Sequence, residues 1–213
     1  WLPRAVRMVL DTVDVPMSID TADFEALEAA LATHREHAPE GKPLINSVNG
    51  EERYLKAVLP LAARYGAAVI GMTLDDDGIP GTPDARLAVA RRILERAESE
   101  GIPTEDVVVD CMALSVSTDP EAGRVTLEAI RRVRDELGVN MTLGPSNVSF
   151  GLPESDKLDW GFTAMAIQNG VNCPIVNVRQ DRRFIMGLDV ILGKDPQGLR
   201  FIETYREEAG AAD

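Results

Sequence analysis

Asp20, Asn46, Asp110 and Asn147 each lie at or just past the end of a short apolar run. Their chemistry suits a flat ring that carries amide-like groups on one edge. Carboxylates accept from ring N–H and exocyclic amine donors, while carboxamides both give and accept, so each can span two neighbouring positions of such an edge. A guanidinium in the same place would oppose the donors. Thr73, the Ser146-Asn147 pair and Asn177 occupy similar run ends. Two of these residues have an ordinary structural use as well. Asp20 stands before Thr21-Ala22-Asp23, where it is placed to cap a helix, and Asn46 precedes Ser47-Val48-Asn49-Gly50, where it is placed to form a turn. The densest signal is the segment GPSNVSFGLP at 144–153. A loop so rich in glycine, proline and small hydroxyls must be held by its own hydrogen bonds, which points to a site more than to a plain connection.

The elements that position these residues follow from the apolar pattern. Strand-like runs fall at 15–20 (VPMSID), 43–48 (PLINSV), 67–73 (AAVIGMT), 106–110 (DVVVD), 140–144 (NMTLG) and 173–178 (CPIVNV). Each is nearly continuously apolar, as expected of strands buried on both faces of a parallel sheet. Helical patterns lie between them at 22–32, 51–65, 83–100, 121–137 and 157–169, with further ones at 184–192 and 199–207. Thr21 or Asp23, Thr82-Pro83 and Asp119-Pro120 mark helix starts, and Gly66, Gly101, Gly138 and Gly170 mark helix ends. A βα unit thus recurs roughly every 30 residues, as repeated βα architectures require. No GxGxxG turn follows the first strand, so a dinucleotide-binding sheet is disfavoured. Polar residues at nearly every strand end favour instead a (β/α)8 TIM barrel, which gathers those ends around one mouth. Six runs are too few to close such a barrel. With 1–13 reading as the end of a helix, the expectation is a single barrel domain over 1–213 that lacks its first two βα units.

Composition narrows the partners. A net charge of −13 over 213 residues disfavours nucleic acid, and no apolar stretch approaches membrane-spanning length. Cys111 and Cys173 read as a pair of buried thiols, and His34 and His37 as a solvated helix end; neither pair has metal-site spacing, and no metal is expected. A cytoplasmic protein is the expectation.

Taken in order, the segments VPMSID, PLINSVNGE, ARYGAAVIGMTLDDDGIP, GIPTEDVVVD, GPSNVSFGLP and FTAMAIQNGVNCPIVN resemble the pterin-binding barrel family. Within it they are most similar to the methyltetrahydrofolate:corrinoid methyltransferases and the folate domain of cobalamin-dependent methionine synthase. The resemblance spans essentially the whole chain, and SNVSFGLP with the upstream INS is its most specific part. It implies that Asp20, Asn46 and Asp110 anchor the pterin, with Ser146 alongside, and that Asn147 is the catalytic carboxamide that reaches N5 of the folate. The implied reaction is a direct displacement in which the N5 methyl passes between methyltetrahydrofolate and the cobalt of a corrinoid (cobalamin). Because the amine leaving group needs a hydrogen bond as the C–N bond breaks, Asn147 would serve in the transition state while solvent supplies the proton. No DxHxxG sequence is present, so the corrinoid is expected on a partner protein; folate and a second copy of the chain complete the expected partners. The same contacts serve either direction of transfer. Dihydropteroate synthase shares the barrel, but its basic pair after the seventh strand and its Arg-x-His element are replaced here by Ser146-Asn147 and Asn177-Val178-Arg179-Gln180. A non-catalytic pterin-binding subunit is the remaining alternative.

Overall fold

The protein is described by a computed structural model covering residues 1–210, with side chains to 207. In chain order the elements are α1 (Leu2–Leu10), β1 (Ser18–Asp20), α2 (Phe24–His37), β2 (Leu44–Asn49), α3 (Glu52–Tyr65), β3 (Ala68–Met72), α4 (Pro83–Ser99), β4 (Val107–Asp110), α5 (Ala122–Leu137), β5 (Asn140–Thr142), α6 (Ser155–Asn169), α7 (Val178–Ile191) and α8 (Leu199–Gly210). The strands form one parallel sheet in the order β1-β2-β3-β4-β5. A parallel sheet in sequence order, each strand returning through a helix, is the barrel-type arrangement.

The two faces of this sheet differ. Ile19, Ile45, Val69, Val107, Val109 and Met141 point toward the helices and are buried, while Asp20, Asn46, Met72, Val108 and Asp110 on the opposite face keep part of their surface exposed. Burial therefore alternates where burial on both faces was expected. On the face opposite the helices Ile70 is buried, 2% exposed. Two apolar clusters fill the helix side, one under α2 and α3, the other under α5 and α6.

The sixth apolar run is not a strand. From 173 to 177 the chain runs beside β5 and donates from Cys173 N to Met141 O (3.1 Å) and from Ile175 N to Leu143 O (2.8 Å). Pro174 has no N–H to give, and Asn177 turns the chain into α7 by accepting from Arg179 N at 3.1 Å. Val178 is consequently the first residue of α7, which begins six residues before the expected 184.

Two further expectations are corrected. α2 extends to His37, and His34 within it is 4% exposed, not solvated; burial pushes its pKa below the ordinary imidazole value. Gly41 lies against the His34 ring, where a Cβ would come within 3.1 Å of Cε1. Cys111 is buried as expected, but Cys173 is exposed because its run lies at the sheet edge.

Candidate functional site

Asp20 and Asn46 are register partners on β1 and β2, and parallel pairing sends both side chains to the same face. Asn46 Nδ2 donates to Asp20 Oδ2 at 3.4 Å. The ordinary structural uses of both residues fall to neighbours. Asp23 caps α2, accepting from Glu25 N (3.0 Å) and Ala26 N (3.1 Å). Asn49 makes the turn, its Oδ1 accepting from Glu51 N at 2.9 Å and its Nδ2 donating to Glu51 Oε1 at 3.0 Å. A register shift between Asn46 and Val48 helps here: Val48 turns into the helix-side core beside Gly71, and Asn49 comes level with Met72. The carboxylate of Asp20 and the carboxamide of Asn46 are thus left without a capping or turn duty.

Asp110 closes β4, and its register partner Met72 places it on the same face as Asn46, with β3 between them. Its Oδ1 accepts from Met112 N at 2.7 Å, within a tight turn in which Met112 takes a left-handed φ of 63°. Burial pushes the carboxyl up to about 6, against the pull of the Met112 N–H and of the Arg86 guanidinium. Arg86, on α4, is 1% exposed. Nothing in the helical pattern around it distinguishes it from a solvated surface cation. Thr73, at the end of β3, donates its N–H to Asp110 O at 2.9 Å, and its buried hydroxyl has no hydrogen-bond partner among the described residues.

Ser146 and Asn147 lie in a 3-10 turn, Pro145–Asn147, directly after β5. Asn147 is exposed, and its carboxamide makes no hydrogen bond to the protein among the described residues. The loop that carries it is fastened from the β4–α5 side: Ser115 Oγ (2.7 Å) and Ser117 Oγ (2.9 Å) both donate to Phe150 O, and Val116 N donates to Val148 O at 3.0 Å. Ser146 lines a cavity of about 360 Å³ between α6 and α7, together with Asp159, Trp160, Asn177 and Asp181. Trp160 stacks on Phe184 at 5.5 Å and donates from Nε1 to Asp181 Oδ1 at 2.8 Å, which joins the two helices there. Of the expected site residues, only Asp20 and Asn46 touch; Asp110 shares their face, and Asn147 stands on the neighbouring loop.

A parallel sheet in sequence order, with acidic and amide side chains along one face, defines an α/β fold of the barrel type. The chain belongs to the pterin binding enzyme family, whose pattern matches residues 1–177. It is 26% identical over 208 residues to the "Methylcorrinoid:tetrahydrofolate methyltransferase" of Eubacterium limosum, covering 94% of this chain and 74% of that protein. It is 33% identical over 167 residues to the methionine synthase of Mycobacterium leprae, of which the match spans 13%. Among solved structures it superposes on a Mycobacterium tuberculosis protein with a TM-score of 0.66 at 21% identity, covering 92% of this chain and 76% of that one. It also superposes on Yersinia pestis DHPS with a pterine-sulfa conjugate, with a TM-score of 0.70 at 15% identity, covering 90% and 75%. These last two likenesses establish the fold, that of the pterin-binding TIM barrels. Among the described residues no helix is long and apolar enough to cross a membrane.

Proposed function

We propose that the chain binds a reduced folate through Asp20, Asn46 and Asp110, with Ser146 alongside. It would transfer the N5 methyl group between methyltetrahydrofolate and a corrinoid carried by a partner protein. The observation that carries this reading is the alignment of Asp20, Asn46 and Asp110 on one sheet face, two of them in contact and none used as a cap. The methyltransferase among its relatives supports the reaction class.

In this reading the corrinoid supplies the centre that takes up or gives the methyl group. The chain's own contribution is to hold the ring edge and to manage N5. A carboxylate at Asp110 accepts the donors of the pterin edge, Asp20 and Asn46 take the neighbouring groups, and the unpaired carboxamide of Asn147 is available to hydrogen-bond N5. That bond counts most as N5 gains electron density when the C–N bond breaks, so it belongs to the transition state more than to the ground state. No cation stands on the 144–153 loop to stabilise a departing pyrophosphate, in keeping with methyl transfer over the synthase reaction.

The test is to mix the chain with methyltetrahydrofolate and a reduced corrinoid protein and follow the cobalt absorption spectrum. Methylation of the corrinoid is expected, and Asn147→Ala is expected to slow it on the order of a hundredfold while changing the folate Kd by less than about threefold. Folate binding without any spectral change would leave a binding subunit; absence of folate binding would remove the reading altogether.

A further inference from the structure

We infer that Arg86 is a positioning residue for the pterin-facing carboxylate: it pins the Asp110–Met112 turn from behind, and its charge favours the anion that the turn holds. This inference rests on the proposed pterin-binding role of Asp110.

The geometry is a cation spending its donors on one short stretch of backbone. Arg86 Nη1 donates to Cys111 O (2.7 Å), Met112 O (2.8 Å) and Thr126 Oγ1 (3.0 Å), and Nε donates to Pro80 O at 2.9 Å. Thr126 Oγ1 itself donates to Met112 O at 3.0 Å, so the Met112 carbonyl is held from α4 and from α5 together. The amide on the other side of the same residue, Met112 N–H, holds the Asp110 carboxylate. A left-handed φ at a non-glycine residue costs on the order of 1 kcal/mol or more and persists only where its surroundings enforce it. Here the clamp on the carbonyl supplies that enforcement.

A guanidinium buried to this extent, hydrogen-bonded to carbonyls and a hydroxyl and to no carboxylate among the described residues, keeps its charge in the core. The groups facing Asp110 from its neighbours are uncharged: Met72 and Thr73 from the β3 side and Thr142 from β5. Cys111 beside it is a neutral thiol, since burial pushes its pKa well up. Arg86 is thus the cation whose field reaches Asp110 among the described residues. Lysine at this position would supply the charge but could not reach Pro80, Cys111, Met112 and Thr126 at once.

The decisive measurement is a ¹³C NMR titration of the Asp110 carboxyl in the ligand-free protein, paired with tetrahydrofolate Kd against pH. In R86Q the Asp110 midpoint is expected to rise by about one pH unit; Kd should weaken at every pH because the turn loses its clamp, with a further loss of about threefold at pH 6.5 that is gone by pH 8.5. R86K should keep the midpoint within half a unit yet weaken binding at every pH, because the turn is no longer pinned. T126V, which leaves the cation but frees one tie on Met112 O, should weaken Kd several-fold without moving the midpoint. An unmoved midpoint in R86Q overturns the inference. So does unaltered Kd in both R86K and T126V, and those two variants decide the matter if R86Q does not fold. D110N separates the two readings: wild-type tetrahydrofolate binding in D110N would sink the role of Asp110, while the ligand-free titration would still judge Arg86.

Discussion

Asp110 faces two opposed demands. Burial favours its neutral form, whereas the proposed pterin edge of N–H donors would favour the anion. The folded-state pKa of about 6 lies above the ordinary carboxylate value of 3.8, so the stability this group contributes is present at low pH and is lost as pH rises through 6. Ligand binding runs the other way. Tetrahydrofolate Kd is expected to weaken about tenfold between pH 7.5 and pH 5, as the anionic fraction falls. D110N is expected to abolish that dependence along with most of the binding, and to raise stability at pH 7.5 by about 1–2 kcal/mol, since the amide oxygen can still accept from Met112 N–H without a buried charge. Calorimetry and a binding isotherm on the same sample check both halves; a less stable D110N would mean the anion is better solvated than its burial implies. The polar residues themselves were legible in the sequence, because acids and amides ending apolar strands stand out against their context. Arg86 was not. Its neighbours Ala85 and Leu87 read as ordinary helix, and whether an arginine faces water or a loop's carbonyls is decided by tertiary packing.

At the scale of elements, the site depends on loops that meet above the sheet. Gly50, just past β2, donates its N–H to Leu74 O at 2.7 Å, and a Cβ there would lie 2.8 Å from that same oxygen and 2.8 Å from Val89 Cγ1. Gly50→Ala must therefore push the β2–α3 turn away from the end of β3. A loss of about 1–3 kcal/mol is expected, together with weaker folate binding, because Asn46 lies on the same strand. Chemical denaturation and a binding titration would show it; an unchanged midpoint would mean the turn shifts freely. Helix limits set by caps and glycines came through the sequence well: Thr82 caps α4, and Gly66 and Gly138 close α3 and α5 in left-handed conformation. The run at 173–178 did not. Its composition is that of a strand, yet strand identity also needs hydrogen bonding in both directions, and a proline next to an early helix cap removes it. The length of α2 was underestimated because His34 and His37 look like an exit signal until the pocket that receives His34 exists.

For the whole molecule, parallel strands in sequence order were expected from the recurrence of βα units, though six were expected and five form, and the uneven burial of the two sheet faces was not expected. Apolar content along a strand says nothing about which face will be covered. β1 is paired on one side, by β2, whereas β3 is paired on both. Amide hydrogen exchange is therefore expected to be slowest in β3 and in the β2 and β4 residues facing it, and fastest among the strands in β1 and along 173–177. Uniform protection across the sheet in a dilute sample would show that something covers the edges in solution. Large apolar side chains are exposed at and on α1 (Trp1, Met8), at the end of α7 (Ile191) and on α8 (Leu199, Tyr205). A net charge of −13 spread over the surface opposes non-specific association.

The paired grip of Ser115 and Ser117 on Phe150 O makes the fastening of the Asn147 loop redundant. A carbonyl oxygen has two lone pairs, and each hydroxyl satisfies one. S115A or S117A alone should therefore be nearly silent in methyl transfer, whereas the double variant should lose more than the sum of the two, a non-additivity that a double-mutant cycle reads directly. Either serine can drift while the other holds, so a sequence search that demanded one particular hydroxyl would overlook chains in which the same loop is secured equally well.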